Sequence, residues 1–168
     1  PVNEAIVDSK NPSLKAVLGC ELNICKNHLD KSTRDNGSPV PFLCKNKNGF
    51  HNLSKLSSIA NIDGFYYVPR IDKDLVKNYK QDLIALTGST YGPIPDLILN
   101  VGEGQAEEEF KWWIDVFGDD FYVEINRHNL EEENHVNNVL VSFAHKYNVR
   151  IIASNNVYYL DEEDANAH

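Results

Sequence analysis

The feature that most restricts the fold is a repeated switch in hydrophobic period. Short apolar, branched runs alternate with longer stretches whose apolar residues recur every three or four positions. The short runs are Leu14 to Ile24, Val40 to Cys44, Leu83 to Leu86, Phe121 to Ile125 and Val149 to Ala153, and they read as strands. The longer stretches read as helices. One from about Asn48 to Ala60 puts Leu53, Leu56 and Ala60 on one face, with His51 opposite. A second from Gly104 to Phe117 aligns Ala106, Phe110, Trp113, Ile114 and Phe117, and leaves Trp112 outside the stripe. A third, capped by Asn129 with Glu132 three residues on, aligns Val136, Val139, Leu140, Phe143 and Tyr147, with His135 and His145 exposed. Strand and helix therefore alternate at least four times, which argues for an α/β fold of parallel strands wrapped by helices, as a barrel or as an open doubly wound sheet. No G-x-G-x-x-G favours the dinucleotide-binding sheet. Polar residues at the ends of several different strands suit a barrel.

The connections carry more detail. Val149 to Ala153 reads as a strand buried on both faces, ending at Ser154-Asn155-Asn156, with Asp161 opening a helix-like segment. Lys26 to Ser38 reads as the most mobile loop, with a turn at Asn36-Gly37. Pro39 and Pro41 bracket the Val40 strand and cannot donate to a ladder. Gly64 to Ile71 is an extended aromatic segment, after which Asp72 caps a short helix through Tyr79. Thr87 to Pro93 is a strand-to-helix turn that fits either a phosphate cradle or a plain tight turn, and it has no P-loop lysine. Glu131 to Glu133 suit a helix N-terminus through the dipole alone. Trp112 suits either an outside contact or cover by a local loop. Glu21, an acid within an apolar strand, needs a partner if it is buried.

Composition narrows the functional classes. Twenty-five acids against sixteen bases over 168 residues give a net charge of −9, a poor surface for gripping phosphate backbones. Cys20, Cys25 and Cys44 lack CxxC spacing and read as free thiols of a reducing compartment. With no signal peptide and no membrane-spanning run, the reading is a cytoplasmic chain with no membrane partner. The absence of methionine and the stop at His168 within a helix-like segment suggest an excised piece of a longer polypeptide.

Several blocks together carry a family resemblance. They are Gly19-Cys20-Glu21, Asn48-Gly49-Phe50-His51-Asn52-Leu53, Gly64-Phe65-Tyr66-Tyr67 through Asp72, Phe117 to Tyr122, and Ala153-Ser154-Asn155-Asn156-Val157. In this order and spacing the chain resembles the PHP (polymerase and histidinol phosphatase) domain of the bacterial DNA polymerase III alpha subunit. The resemblance covers about Leu14 to His168. It makes residues 1–168 a PHP fragment that lacks the family's His-rich N-terminal motifs and the polymerase domains. The fold it implies is a partial, distorted (β/α)7 TIM-like barrel of the PHP type, whose mouth in complete members holds metal ions for phosphoester hydrolysis.

Carried over by position, Glu21 matches the ligand glutamate of the family's GCE motif and His128 the histidine after its FYLEL-type strand. Pro39 stands at the histidine of the family's YHL motif. Asn156 and Tyr158 stand at the aspartate and histidine of its NDVH motif. Proline has no donor atom, an amide offers only a neutral carbonyl, and a phenol must ionise far from its pKa of ~10 to bind a metal well. The expectation is thus a vestigial metal site with Glu21 and His128 as its remnants, no catalytic residue in this fragment, and no cofactor. If no metal binds, Glu21 is expected to find Asn156, Tyr158 or His128, or to carry a raised pKa. The resemblance assigns Mg to the parent polymerase, which performs DNA-directed DNA synthesis through other domains. Its implied partners are those domains, a proofreading exonuclease subunit, and DNA held elsewhere in the parent. The competing expectation is an active phosphoesterase or 3′–5′ exonuclease with Zn or Mn at the PHP site. A free-standing phosphatase outside replication is a third.

Overall fold

A computed structural model describes residues 16–155, 157 and 162–166. It divides into two compact units, residues 1–85 and 86–168.

The first unit is built on four strands. β1 (Gly19–Cys25) lies antiparallel to β2 (Ser38–Cys44), with Cys20 opposite Phe42 and Leu22 opposite Val40. β3 (Arg70–Asp72) runs parallel to β1 on its other side. β4 (Leu83–Leu86) runs antiparallel to β2, so the order is β3-β1-β2-β4. This corrects the expectation of uniformly parallel strands. The Lys26–Ser38 connection forms turns and bends but no helix, and it returns the chain as a hairpin.

β2 is an interior strand although it contains two prolines. Cys44 N–H bonds to Leu18 O at 2.8 Å, so Val40, Phe42 and Cys44 turn their backbone groups toward β1. Pro39 and Pro41 face the other side, where β4 pairs only with Phe42 to Cys44. The missing donors fall where no described strand needs them.

Helix α1 (Lys47–Ile62) starts at Asn46, whose side chain accepts from Gly49 N–H at 3.1 Å. Its buried residues are Gly49, Leu53, Leu56 and Ala60, and His51 is exposed, as the period predicts. A Cβ on Gly49 would stand 2.1 Å from Asp82 O, so only glycine lets the helix start this close to the chain leading into β4. α2 (Lys73–Tyr79) is capped by Asp72, which accepts from Leu75 N–H at 3.0 Å.

The loop expected to be most mobile is tied down by a buried guanidinium. Arg70 is fully buried and donates to Gly64 O at 3.1 Å, Asp35 O at 2.8 Å, His28 O at 3.2 Å and Asp30 O at 3.0 Å. Three of those carbonyls belong to the loop. Asp72 adds bonds from the His28 N–H and ring, and Gly37 takes the turn at φ 70°. Four neutral acceptors satisfy most of a donor-only group and lessen the cost of burying its charge.

The second unit holds α3 (Pro93–Asn100), α4 (Glu103–Phe117), β5 (Phe121–Ile125), α5 (Glu131–Tyr147) and β6 (Arg150–Ala153). β5 and β6 are parallel, Val123 opposite Ile151, as the strand–helix–strand pattern requires. Phe110 is the aromatic centre, with ring centroids 5.3 Å from Phe121 and 5.4 Å from Phe143. Along α4, Val116 is buried and Ile114 only half-buried, a small rotation from the expected stripe. Trp112 is half-buried with its ring edge-on to Trp113 at 4.9 Å.

Two further expectations need correction. β6 is not buried on both faces: its pattern is largely exposed, and Ile151 is 42% exposed. Among the described residues β6 ends the strand order, so only β5 covers an edge. Asn129 does not cap α5. It sits at φ 64°, and the helix starts one residue later from Leu130, without a side-chain cap at that position. No helix among the described residues is long and apolar enough to cross a membrane.

Candidate functional site at the strand ends

In the first unit, Glu21 lies on β1 opposite Pro41, and Pro39 lies opposite Asn23. The sequence-predicted pair therefore falls on neighbouring strands, two positions apart in register. Period-2 alternation sends Leu22 and Ile24 into the core, and Glu21 is exposed. The premise of a buried acid in β1 is thus corrected, because solvation removes the penalty that would demand a partner. Pro39 brings no donor atom to this place.

In the second unit, His128 follows β5 and is held at both ring nitrogens. Nδ1 meets Glu133 Oε1 at 2.6 Å, and Nε2 meets Asn155 Oδ1 at 3.0 Å. Glu133 Oε2 also accepts the His128 backbone N–H at 2.6 Å. Both ring contacts are to oxygen acceptors, which suits a doubly protonated imidazolium. Accordingly the His128 pKa is raised from 6.5, first by the hydrogen bond to Glu133, then by that carboxylate's charge and by Asn155. Burial pushes the Glu133 carboxyl up, but the bonds from the His128 ring and N–H outweigh it and leave its pKa below 4.5. Both ring nitrogens are thus turned to neighbouring oxygens in this arrangement.

Sequence reading assigned Glu133 to the helix dipole. Its side chain instead reaches back from the third helical position to a backbone N–H before the helix, the reciprocal half of a capping box. A cap at Asn129 would put Glu132 at the third helical position; the helix starts one residue later, and Glu133 stands there. Asn155 carries no separate signal in the sequence beyond its place in the Ala153-Ser154-Asn155-Asn156-Val157 block. Asn156 and Tyr158 lie outside the described residues.

A second group at the same strand ends had no sequence signal. Thr87, 1% exposed, accepts the Glu124 N–H on its Oγ1 at 2.9 Å and donates its own N–H to Tyr122 O at 3.1 Å. The turn after β4 therefore spends its first hydroxyl on β5, which favours the plain-turn reading over the phosphate cradle. Glu124 is 8% exposed and Asn126 is 7% exposed. Ser154 Oγ donates to Glu124 Oε1 and lies 3.4 Å from Asn126 Oδ1. Glu124 Oε2 is buried without a hydrogen-bond partner.

Comparison with known proteins follows the same pattern. A family model described as "PHP domain" matches residues 2–128. DNA polymerase III subunit alpha of Borreliella burgdorferi is 36% identical over 164 residues, covering 95% of this chain and 14% of that protein. The subunit from Thermus aquaticus is 41% identical over 129 residues, covering 77% of this chain and 11% of its own length. That from Aquifex aeolicus is 35% identical, covering 95% and 14%. The chain thus spans only about a seventh or less of these relatives. With a domain model matched across three quarters of its length, the chain belongs to the PHP domain family.

Proposed function

We propose that this chain is the PHP module of a DNA polymerase III alpha subunit, a partial, distorted (β/α)7 TIM-like barrel without a hydrolytic metal cluster. It acts as a scaffold and docking element for the remaining polymerase domains or for a proofreading exonuclease subunit. DNA synthesis, with its Mg ions, belongs to other domains of the parent, which the relatives' names and their much greater length support. The observation that carries the metal-free reading is the His128 ring, engaged at both nitrogens by Glu133 and Asn155. Pro39 adds a position with no donor, and Asn156 and Tyr158 replace an anion and an imidazole by weaker ligands. A cluster of cations needs converging anionic and imidazole donors, and this set supplies few.

The test is metal analysis of the purified full-length protein, followed by assays on a generic phosphate ester and on a 3′-terminated DNA strand. The expected result is no tightly held pair of ions, and no hydrolysis that depends on Glu21. Two or more equivalents of zinc or manganese, with turnover abolished by Glu21→Ala, would establish the active phosphoesterase instead.

A further inference from the structure

Charge is divided unevenly along the chain. Residues 1–85 carry twelve Lys and Arg against nine Asp and Glu, whereas residues 86–168 carry four against sixteen. The net acidity therefore belongs to the second unit, and the first does not repel an anion. In the first unit a cavity of about 320 Å³ is lined by Lys26, Asn27, Asp30, Thr33, Arg34 and Asp35. Most acceptors of that set are spent within the loop itself. Asp35 Oδ2 accepts the Lys26 N–H at 3.0 Å, and its Oδ1 accepts the Gly37 N–H at 3.0 Å. Asp30 Oδ1 accepts the Ser32 N–H at 2.8 Å and hydroxyl at 2.6 Å, and Asn27 Oδ1 accepts the Leu29 N–H at 3.0 Å.

The donors around the cavity are left over. Among the described residues no carboxylate pairs with the Lys26 ammonium or the Arg34 guanidinium, and the Asn27 amide N–H groups and the Thr33 hydroxyl add neutral donors. The buried Arg70 guanidinium, bonded to Asp30 O and Asp35 O, brings a third positive charge beside the two carboxylates. Arg34 is also held in place. Its Nε donates to Asn36 Oδ1 at 3.3 Å, and its guanidinium lies 4.8 Å from the centre of the Tyr67 ring. These contacts use one N–H and one face, and both Nη groups remain. Tyr67 takes φ 64°, a backbone conformation rare for an aromatic residue and kept where surrounding structure holds a site in shape. A phosphate monoester has three terminal oxygens, enough for the Arg34 fork, the Lys26 ammonium and a neutral donor together, whereas a carboxylate has two. Small-molecule cavities begin at about 300 Å³, so this one has room for a phosphate and part of what carries it.

We propose that Lys26, Asn27, Thr33 and Arg34 form a binding site for a phosphate monoester, the terminal phosphate of a nucleotide or of a nucleic-acid strand. The site goes beyond the metal-free scaffold reading. None of its residues is among the five positions carried over for metal, and it binds phosphate without hydrolysing it.

The test follows trypsin cleavage at Lys26 and Lys31 in the full-length protein, with EDTA present to suppress metal-dependent nucleotide binding elsewhere. Rates are compared with and without thymidine 5′-monophosphate within each variant, so a loop loosened by a substitution does not mimic lost binding. At ten times its Kd the nucleotide should slow cleavage about tenfold in wild type, because it holds the closed loop. Thymidine, which lacks the phosphate, should leave the rate unchanged. Arg34→Ala should raise the concentration needed for half protection at least tenfold, and Arg34→Lys by less, since an ammonium keeps the charge without the fork. A 5′-phosphorylated oligothymidylate that protects at lower concentration than both the mononucleotide and its own 5′-hydroxyl form would identify a strand end as the ligand, and the mononucleotide acting first would identify a free nucleotide. No protection by either phosphate-bearing probe, equal protection by thymidine, or an unshifted midpoint in Arg34→Ala each overturn the proposal. Hydrolysis dependent on Glu21 would sink the scaffold reading and leave this site standing. A loop indifferent to phosphate, without hydrolysis, would do the reverse.

Discussion

Replacing Arg70 by alanine should open the 26–37 loop while leaving the strands that frame it. The guanidinium is fully buried and makes four bonds to carbonyls, three of them on the loop at 2.8, 3.2 and 3.0 Å. Hydrogen bonds to a charged group contribute about 1.5–3 kcal/mol each when their loss strands the partner in a dry site. These carbonyls border an exposed loop, so water replaces much of what is lost, and about 1 kcal/mol per bond is the appropriate scale. The sum is about 3 kcal/mol of local opening energy, which raises the open population by roughly a hundredfold. Trypsin reads this directly, because Lys26, Lys31 and Arg34 are exposed residues of the same loop. Cleavage there should accelerate by roughly two orders of magnitude in Arg70→Ala, under conditions where cutting follows the open population. Arg70→Lys should fall between, since an ammonium keeps a charge but cannot span four acceptors with a planar fork. Cleavage within a factor of about three of wild type would refute the argument, because the buried bonds would then hold nothing in place.

Further expectations concern the second pair of residues and the cores. His128 has a raised pKa in the folded state, so its share of stability is full below the unfolded value near 6.5 and is lost as pH rises through the folded value. Glu133 has a lowered pKa, so its share is present above the unfolded value near 4.5 and is lost as pH falls through the folded value. The pair is strongest between those two folded values, and Glu133→Gln should return the His128 titration, followed by NMR of the ring protons, toward 6.5. Phe110→Ala should cost about 3–5 kcal/mol in denaturant unfolding, since it removes a fully buried ring from contact with Phe121 and Phe143. Gly49→Ala should cost at least about 1–3 kcal/mol, because the new methyl would stand 2.1 Å from Asp82 O and that backbone must move. An unchanged unfolding midpoint in either variant would contradict the packing described.

How much of this was legible from sequence differs by residue. The period placed α1 with its buried Leu53, Leu56 and Ala60, and the spans of β4 and β5, because local amphipathicity survives any tertiary arrangement. Asp72 as a helix cap was readable for the same reason: the bond to Leu75 closes within three residues. Ordered family blocks pointed to PHP, a relation the domain match bears out.

What the sequence could not supply are relations between distant residues. Arg70 reaches back 35 and 42 positions to Asp35 and His28, so the loop that composition marks as mobile is held by a side chain outside it. The antiparallel hairpin of β1 and β2 and the exposure of β6 depend on which strands become neighbours, and alternation alone does not encode that. Glu124 reads in FYVEI as one more strand residue. Only the structure shows that it is buried and takes a bond from Ser154, thirty positions later. Local periodicity fixes what each segment becomes. The dielectric around a side chain, and the partners that reach it, are set by segments arriving from elsewhere, and those decide which polar groups are satisfied.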